Sequence, residues 1–424
     1  MSATVCGLVR FVFVEDKMGE NKALQRGFSI AAIILIAVSA FAIVFFDARG
    51  LLEGESATFA GLPLMAIIAV LLLGVLIVLV IKLKNTDTVE NMIASVAVRY
   101  AFFGWFYVFL IKFADMLIRQ TVNDYLFFEK YYSSIYLMMN SFNVCVVGTL
   151  VIGLTMRKLP TYKIAQRKLR VGQLLLLIMM MYGLTLVGTV MGLPIHTFLS
   201  SFTPDNPQTD AVDLSGLLLG SNILYRIICV GILPAIFEEL LFRKFLIDRT
   251  IRHGEFISCA MSGIMFGMWH GNFQQFFFTF FIGVLFAFVY IRTGKIIYTM
   301  IMHASMNLVT TVITMSLMAE MIKKVGVGDS INAMSEAELM SSIMPLLMLL
   351  LAWLIILVSF MITGLVFVIK KRKNFKLFLM EGELKRKEIL HKLTHTPEMW
   401  AFFSFALLLF FHYYLPDIIA CIFE

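Results

Sequence analysis

The chain has 424 residues, of which 60% are hydrophobic and only 15% charged, and its mean hydropathy is +0.88. Soluble domains run near about 45–50% apolar and about 25% charged. A water-soluble globular protein, a disordered chain and a secreted disulfide scaffold are therefore excluded. The formal charge of +7 would suit nucleic acid, but the cations sit in loops beside apolar runs and form no aromatic-interleaved basic face; nucleic acid is set aside as a partner. The composition predicts an all-α, polytopic transmembrane helical bundle of about 10–11 spans, not a barrel.

A hydrocarbon core of about 30 Å needs about 20 helical residues. In chain order this predicts spans at 28–46, 62–82, 96–117, 134–155, 172–192, 216–246, 256–271, 273–291, 296–318, 342–370 and 399–420. No small-residue cleavage site precedes 28–46, which reads as a retained first span. The third run is the weakest, because Arg99, Lys112 and Asp115 interrupt it; a helix lying along the interface is the competing reading. Arg157, Lys158, Lys163, Arg167, Lys168 and Arg170 then fill one loop with no acid among them, and Lys370 to Lys373 abut a long apolar run. Alternating the spans from a cytosolic N-terminus, the positive-inside rule puts Lys82 and Lys84, the 157–170 loop, Lys244 with Arg249 and Arg252, Arg292 with Lys295, and 370–398 on the cytosolic side. Residues 47–59, 193–215 and 319–340 fall outside. Cys6, Cys145, Cys229, Cys259 and Cys421 lie far apart with no CxxC, so neither a disulfide framework nor a thiolate metal site is expected. Those within apolar segments read as small hydrophobes.

The organisation reads as a four-span N-terminal part (1–170), a core (171–318) and a two-span C-terminal part (319–424). A charged linker at 371–398, expected to be a solvated helix, divides the last two spans. Short loops and the lack of a targeting peptide suit a bacterial plasma membrane.

The chemistry gathers in the core. Ionisable groups within spans are costly and mark function by default. One segment reads Pro234-Ala-Ile-Phe-Glu238-Glu239-Leu-Leu-Phe-Arg243, the next Phe266-Gly-Met-Trp-His270-Gly-Asn272, and a third His303-Ala-Ser-Met-Asn307. Helical residues four apart share a face, so Glu239 pairs with Arg243 and leaves Glu238 pointing elsewhere. Phe266 packs beneath His270, and His303 stacks with Asn307. Pro234 removes a backbone bond and frees a carbonyl, which is tolerable only where a cavity or neighbouring helix satisfies it. Each set alone has a plain structural reading: a solvated helix end, a packing histidine, a chance HxxxN. Three sets on successive segments are harder to explain that way. A carboxylate beside two neutral imidazoles can take a proton from water. The imidazoles can orient that water or ligate a metal, and an amide can donate to an oxyanion. No HExxH occurs.

These segments resemble the EExxxR, FxxxH and HxxxN motifs of the CPBP (Abi) family, the CAAX-protease and bacteriocin-processing group of intramembrane proteases. The stretch from His270 through Gly271-Asn272-Phe273 and Tyr290-Ile-Arg292-Thr-Gly294 to His303 is similar as well. The resemblance implies an intramembrane endopeptidase with Glu238 as base and His270, His303 and Asn307 as its partners. Glu239, Arg243 and Phe266 support them. It leaves Zn2+ open, with His270 and His303 as the ligands if a metal is used. It also implies membrane lipid and a peptide or membrane-protein substrate, lipidated in the CAAX branch. Arg226, one turn after Asn222, is a candidate for lining the same cavity or binding a substrate carboxylate, with a structural pairing as the equal alternative. The competing readings are a non-catalytic binding or immunity protein and a proton-coupled transporter. One geometric demand stands out. His270 falls at the far end of its span unless 256–271 is a short hairpin arm turning deep in the protein at Gly271-Asn272.

Overall fold

The computed structural model describes residues 22–53, 62–121, 134, 137–139, 141–200, 221–325, 336–378 and 383–411. Among these residues every regular element is a helix. The first are α1 (Lys22–Glu53), α2 (Leu62–Lys82) and α3 (Val89–Thr121). Next, α4 (142–156) opens with a π-helical stretch, Phe142–Val147, and α5 is Val171–Ser200. The sixth, α6 (223–250), alternates between α and π winding, with wide stretches at Arg226–Ile232 and Leu240–Phe245. The remainder are α7 (Glu255–Trp269), α8 (Phe273–Thr293), α9 (296–325, with a π-helical stretch Asn307–Ile313), α10 (Glu336–Lys371), α11 (Arg386–His395) and α12 (Pro397–Phe411).

Eight helices among the described residues are long and apolar enough to cross a membrane. The α-helical polytopic bundle expected from composition is what is found. Two expected spans differ in kind. The 216–246 run becomes the irregular α6, whose predicted start lies outside the described residues. The 256–271 run becomes the 15-residue α7, which at 1.5 Å per residue is about 22 Å long, too short to cross. The 399–420 run appears as α12, which is described only to Phe411.

The interrupted third run is the most buried of the eight candidate spans, so the interfacial alternative does not hold. The reason is Arg99. Its guanidinium donates to the carbonyls of Thr155 (2.9 Å), Val80 (3.0 Å) and Leu83 (3.0 Å), and to that of Ser95. These include the last carbonyls of α2 and α4, which have no partner within their own helices. The charge therefore ties helix ends together inside the bundle. The side chains of Lys112 and Asp115 lie outside the described residues.

The loops rich in charge meet at one end. Ser29 Oγ donates to Glu398 Oε1 at 2.7 Å, and Lys392 lies 3.4 Å from Glu90. Tyr162 N donates to the Asp248 carbonyl at 2.7 Å and Arg167 N to that of Thr293 at 2.8 Å, so the basic 157–170 ribbon is laced to the ends of α6 and α8. Arg292 pairs with Glu255, and Glu255 Oε2 accepts from Phe378 N at 2.7 Å. The linker is thus not a wholly solvated helix. It docks on the core through 375–378, and the following α11 buries Ile389 and Leu393. Residues 379–382 of the linker lie outside the described set.

Helix α10 packs on α5 where Gly183 and Gly364 face one another. A Cβ on either would overlap backbone of the opposite helix. Gly364 is the only buried residue among the described side chains of α10. Gly364→Leu is expected to lower thermal stability in detergent by about 1–3 kcal/mol, the usual cost of overpacking; an unchanged melting curve would mean that this contact is dispensable.

Candidate active site

The hairpin demanded by His270 is present. Helix α7 ends at Trp269, His270 caps it, Gly271 takes φ +67°, and Asn272 starts α8 by accepting from Gln275 N at 2.7 Å. A left-handed residue followed by an Asn cap reverses the chain in two residues. Because α7 stops short, the reversal lies inside the bundle and His270 is brought to the other two motifs.

Glu239 and Arg243 form the centre of the cluster, both fully buried, with Arg243 Nε 3.0 Å from Glu239 Oε2. Arg243 Nη1 donates to Ser262 Oγ at 3.1 Å, and its Cζ lies 4.6 Å from the Phe266 ring centroid and 5.3 Å from that of Phe286. The other oxygen, Glu239 Oε1, lies 3.0 Å from His303 Nδ1. One carboxylate is thereby shared between a cation and an imidazole, as a buried charge must be if it is to survive desolvation.

Glu238 differs. It is only 8% exposed, yet its Oε2 has no hydrogen-bond partner among the described residues. His303 Nε2 stands 3.9 Å from it, so the ring of His303 lies between the two carboxylates. A carboxylate oxygen only accepts, so the bond to Glu239 puts the proton of neutral His303 on Nδ1. His270 Nδ1 lies 2.8 Å from the Phe266 carbonyl, and the same reasoning protonates it there. Both Nε2 atoms are left as acceptors. The Phe266 ring meets His270 at 4.9 Å and His303 at 5.7 Å, edge to face in each case. It fixes both imidazoles, as its place one turn before His270 predicts.

Pro234 cannot donate to the Val230 carbonyl, the acceptor one turn back. Asn307 Nδ2 donates to that carbonyl at 2.8 Å. The neighbouring helix satisfies the freed group, and Asn307 retains a second N–H and its amide oxygen.

Glu238, His270, His303 and Asn307 all line one cavity of about 270 Å³. Arg226 is not among its lining residues. Its guanidinium instead bonds the Ser221 carbonyl (2.7 Å) and Ser316 Oγ (3.3 Å). Sequence reasoning passed over Ser141, Cys145 and Cys229, which also line the cavity. A signal existed: Ser141 and Cys145 are four apart and share a face. As for a metal, His270 and His303 would offer two nitrogens and Glu238 one oxygen. Among the described residues, however, no group of three or more His, Cys, Asp or Glu side chains is placed to hold an ion. Two imidazoles and a carboxylate are a donor set that zinc accepts; what is missing among the described residues is their convergence on one point.

The family model for type II CAAX prenyl endopeptidase Rce1-like proteins matches residues 220–309. That segment, about a fifth of the chain, is similar to the Rce1-like family. The match takes in all three motifs and the cavity-lining residues of α6, α7 and α8 with those of α9 as far as Asn307, and it leaves 1–219 and 310–424 outside. It supports a CAAX-type intramembrane protease in general, and with the eight candidate spans it marks a multi-pass membrane protein. No curated protein and no solved structure matches the chain.

Arg243→Met would leave Glu239 a buried charge without its cation, a loss of about 3–5 kcal/mol readable by thermal unfolding in detergent. Pairing it with Glu239→Gln is expected to restore more than half. Equal stability of the single variant and wild type would rule out a structural pair.

Proposed function

We propose that the protein is an intramembrane endopeptidase in which Glu238 activates a water molecule held between it and the Nε2 atoms of His270 and His303. The observation that carries this reading is the division of labour between adjacent carboxylates. Glu239 is paired with Arg243 and His303, each at 3.0 Å, whereas Glu238 Oε2 is buried with no hydrogen bond and with His303 Nε2 3.9 Å away.

The chemistry then runs on the chain's own groups. Glu238 takes one proton from water while an Nε2 accepts the other O–H, which aims the oxygen lone pair at the scissile carbonyl carbon. As the C–O bond forms, the free N–H of Asn307 donates to the developing oxyanion. The protonated Glu238 returns its proton to the departing amide nitrogen, the C–N bond breaks, and a carboxylic acid and an amine leave. No step runs through a metal. The substrate class follows the family description: a prenylated C-terminal peptide, with the basic end of the bundle facing the cytosol of a bacterial plasma membrane.

Glu238→Gln keeps the side chain's size and breaks no hydrogen bond of its Oε2. It is expected to lower kcat on a farnesylated CAAX peptide by about 10²–10⁴-fold while the protein melts as wild type does; retained cleavage removes Glu238 as base. Dialysis against a strong chelator is expected to leave cleavage within about twofold, since no effect of the order seen on removing a metal catalyst applies. Loss of activity restored by zinc would overturn the metal-free mechanism.

A further inference from the structure

The family match begins at residue 220, yet one wall of the cavity comes from residues long before it. Leu137, Ser141, Val144 and Cys145 line it alongside Glu238 and His303. Their spacing of four, three and one places them on a single helical stripe. Two observations tie that stripe to the catalytic segment. Ser141 Oγ donates to the Cys229 carbonyl at 2.9 Å, a buried bond, and Cys229 lies in the wide π-helical stretch that precedes Glu238. Val144 and Cys145 themselves lie within the π-helical stretch that opens α4, and such wide turns gather at functional sites. Val144 and Cys145 present small apolar groups, and the one hydroxyl of the stripe, that of Ser141, is already committed to holding it in place. Phe278, Ile282 and Met306 add further apolar lining.

We infer that Val144 and Cys145 of the N-terminal part are specificity-determining residues: they set the size of the substrate side chain that fits beside the scissile bond. The N-terminal part thereby completes the active-site cavity that the matched core forms only in part. This inference rests on the proposed peptidase reading, and its test is built so that the two fail separately.

Farnesylated peptides that differ only in the residue after the lipidated cysteine (Ala, Val, Leu or Phe) are assayed with wild type, Cys145→Phe, Val144→Phe and Cys145→Ala. One or two methylenes in an apolar pocket discriminate by about 10–200-fold. Filling the wall is therefore expected to lower kcat/KM for the Leu and Phe peptides at least about tenfold relative to the Ala peptide. Cys145→Ala is expected to shift the ratio the opposite way. A uniform change across the series, or none, overturns the inference, and opposite signs for the filling and enlarging variants exclude a mere folding defect. The same variants are combined with Glu238→Gln, and dissociation constants are measured for the uncleaved peptides. Size-dependent binding without any cleavage by the Glu238 enzyme would sink the peptidase reading and keep the wall. Cleavage that needs Glu238 with size-blind kcat/KM and binding would do the reverse.

Discussion

The structure depends on one constraint: two adjacent carboxylates are carried into an apolar interior with a single guanidinium to neutralise them. Arg243 cannot serve both. It lies one helical turn from Glu239 and pairs with it at 3.0 Å, and the remaining oxygen of Glu239 takes His303. Glu238, about 100° round the helix, is turned into the cavity instead. The geometry of the other groups follows from this partition. His303 is oriented by the neutralised acid, its opposite nitrogen is aimed at the unsatisfied one, and Phe266 packs against His270, His303 and Arg243 together.

A second theme is the handling of freed backbone groups. Wide π-helical stretches in α4, α6 and α9 each bring residues to the cavity wall. Such irregularity at membrane depth requires side-chain partners, and these are supplied: Asn307 for Val230, Ser141 for Cys229, Tyr100 for Leu241 at 2.6 Å and Ser262 for Phe242 at 2.8 Å. Tyr100 and Ser141 come from the N-terminal part, so the backbone of the catalytic segment is held from outside the matched region.

Much of this was legible in the order of residues. The i,i+4 relations between Glu239 and Arg243 and between Phe266 and His270 hold as the helical period requires, and the Gly271-Asn272 pair turns the chain where a short arm needs it. Pro234 announced a freed carbonyl, although only the fold shows that Asn307 answers it. What stayed hidden has physical causes. A π-helical stretch shifts the facing of the following residues without any compositional mark, so Cys145 and Cys229 read as packing thiols. Arg99 misled because its charge was weighed against lipid and water, whereas its partners are the carbonyls at helix ends, which no side-chain pattern records. Arg226 admits both a substrate-binding and a structural reading from its position alone, and only the fold shows its guanidinium bonded to Ser221 and Ser316.

The meeting of Gly183 with Gly364 says something about how the outer part of the bundle is assembled. Along most of α10 the described side chains face outward, where acyl chains match any attraction that a leucine on α5 would offer. Cohesion is strongest where two bare main chains approach more closely than lipid can follow. Around that point the helix is steadied along its length by contacts lipid cannot copy, with Phe360 edge-on to Tyr182 at 5.3 Å and Trp353 Nε1 donating to Thr314 Oγ1 at 3.1 Å.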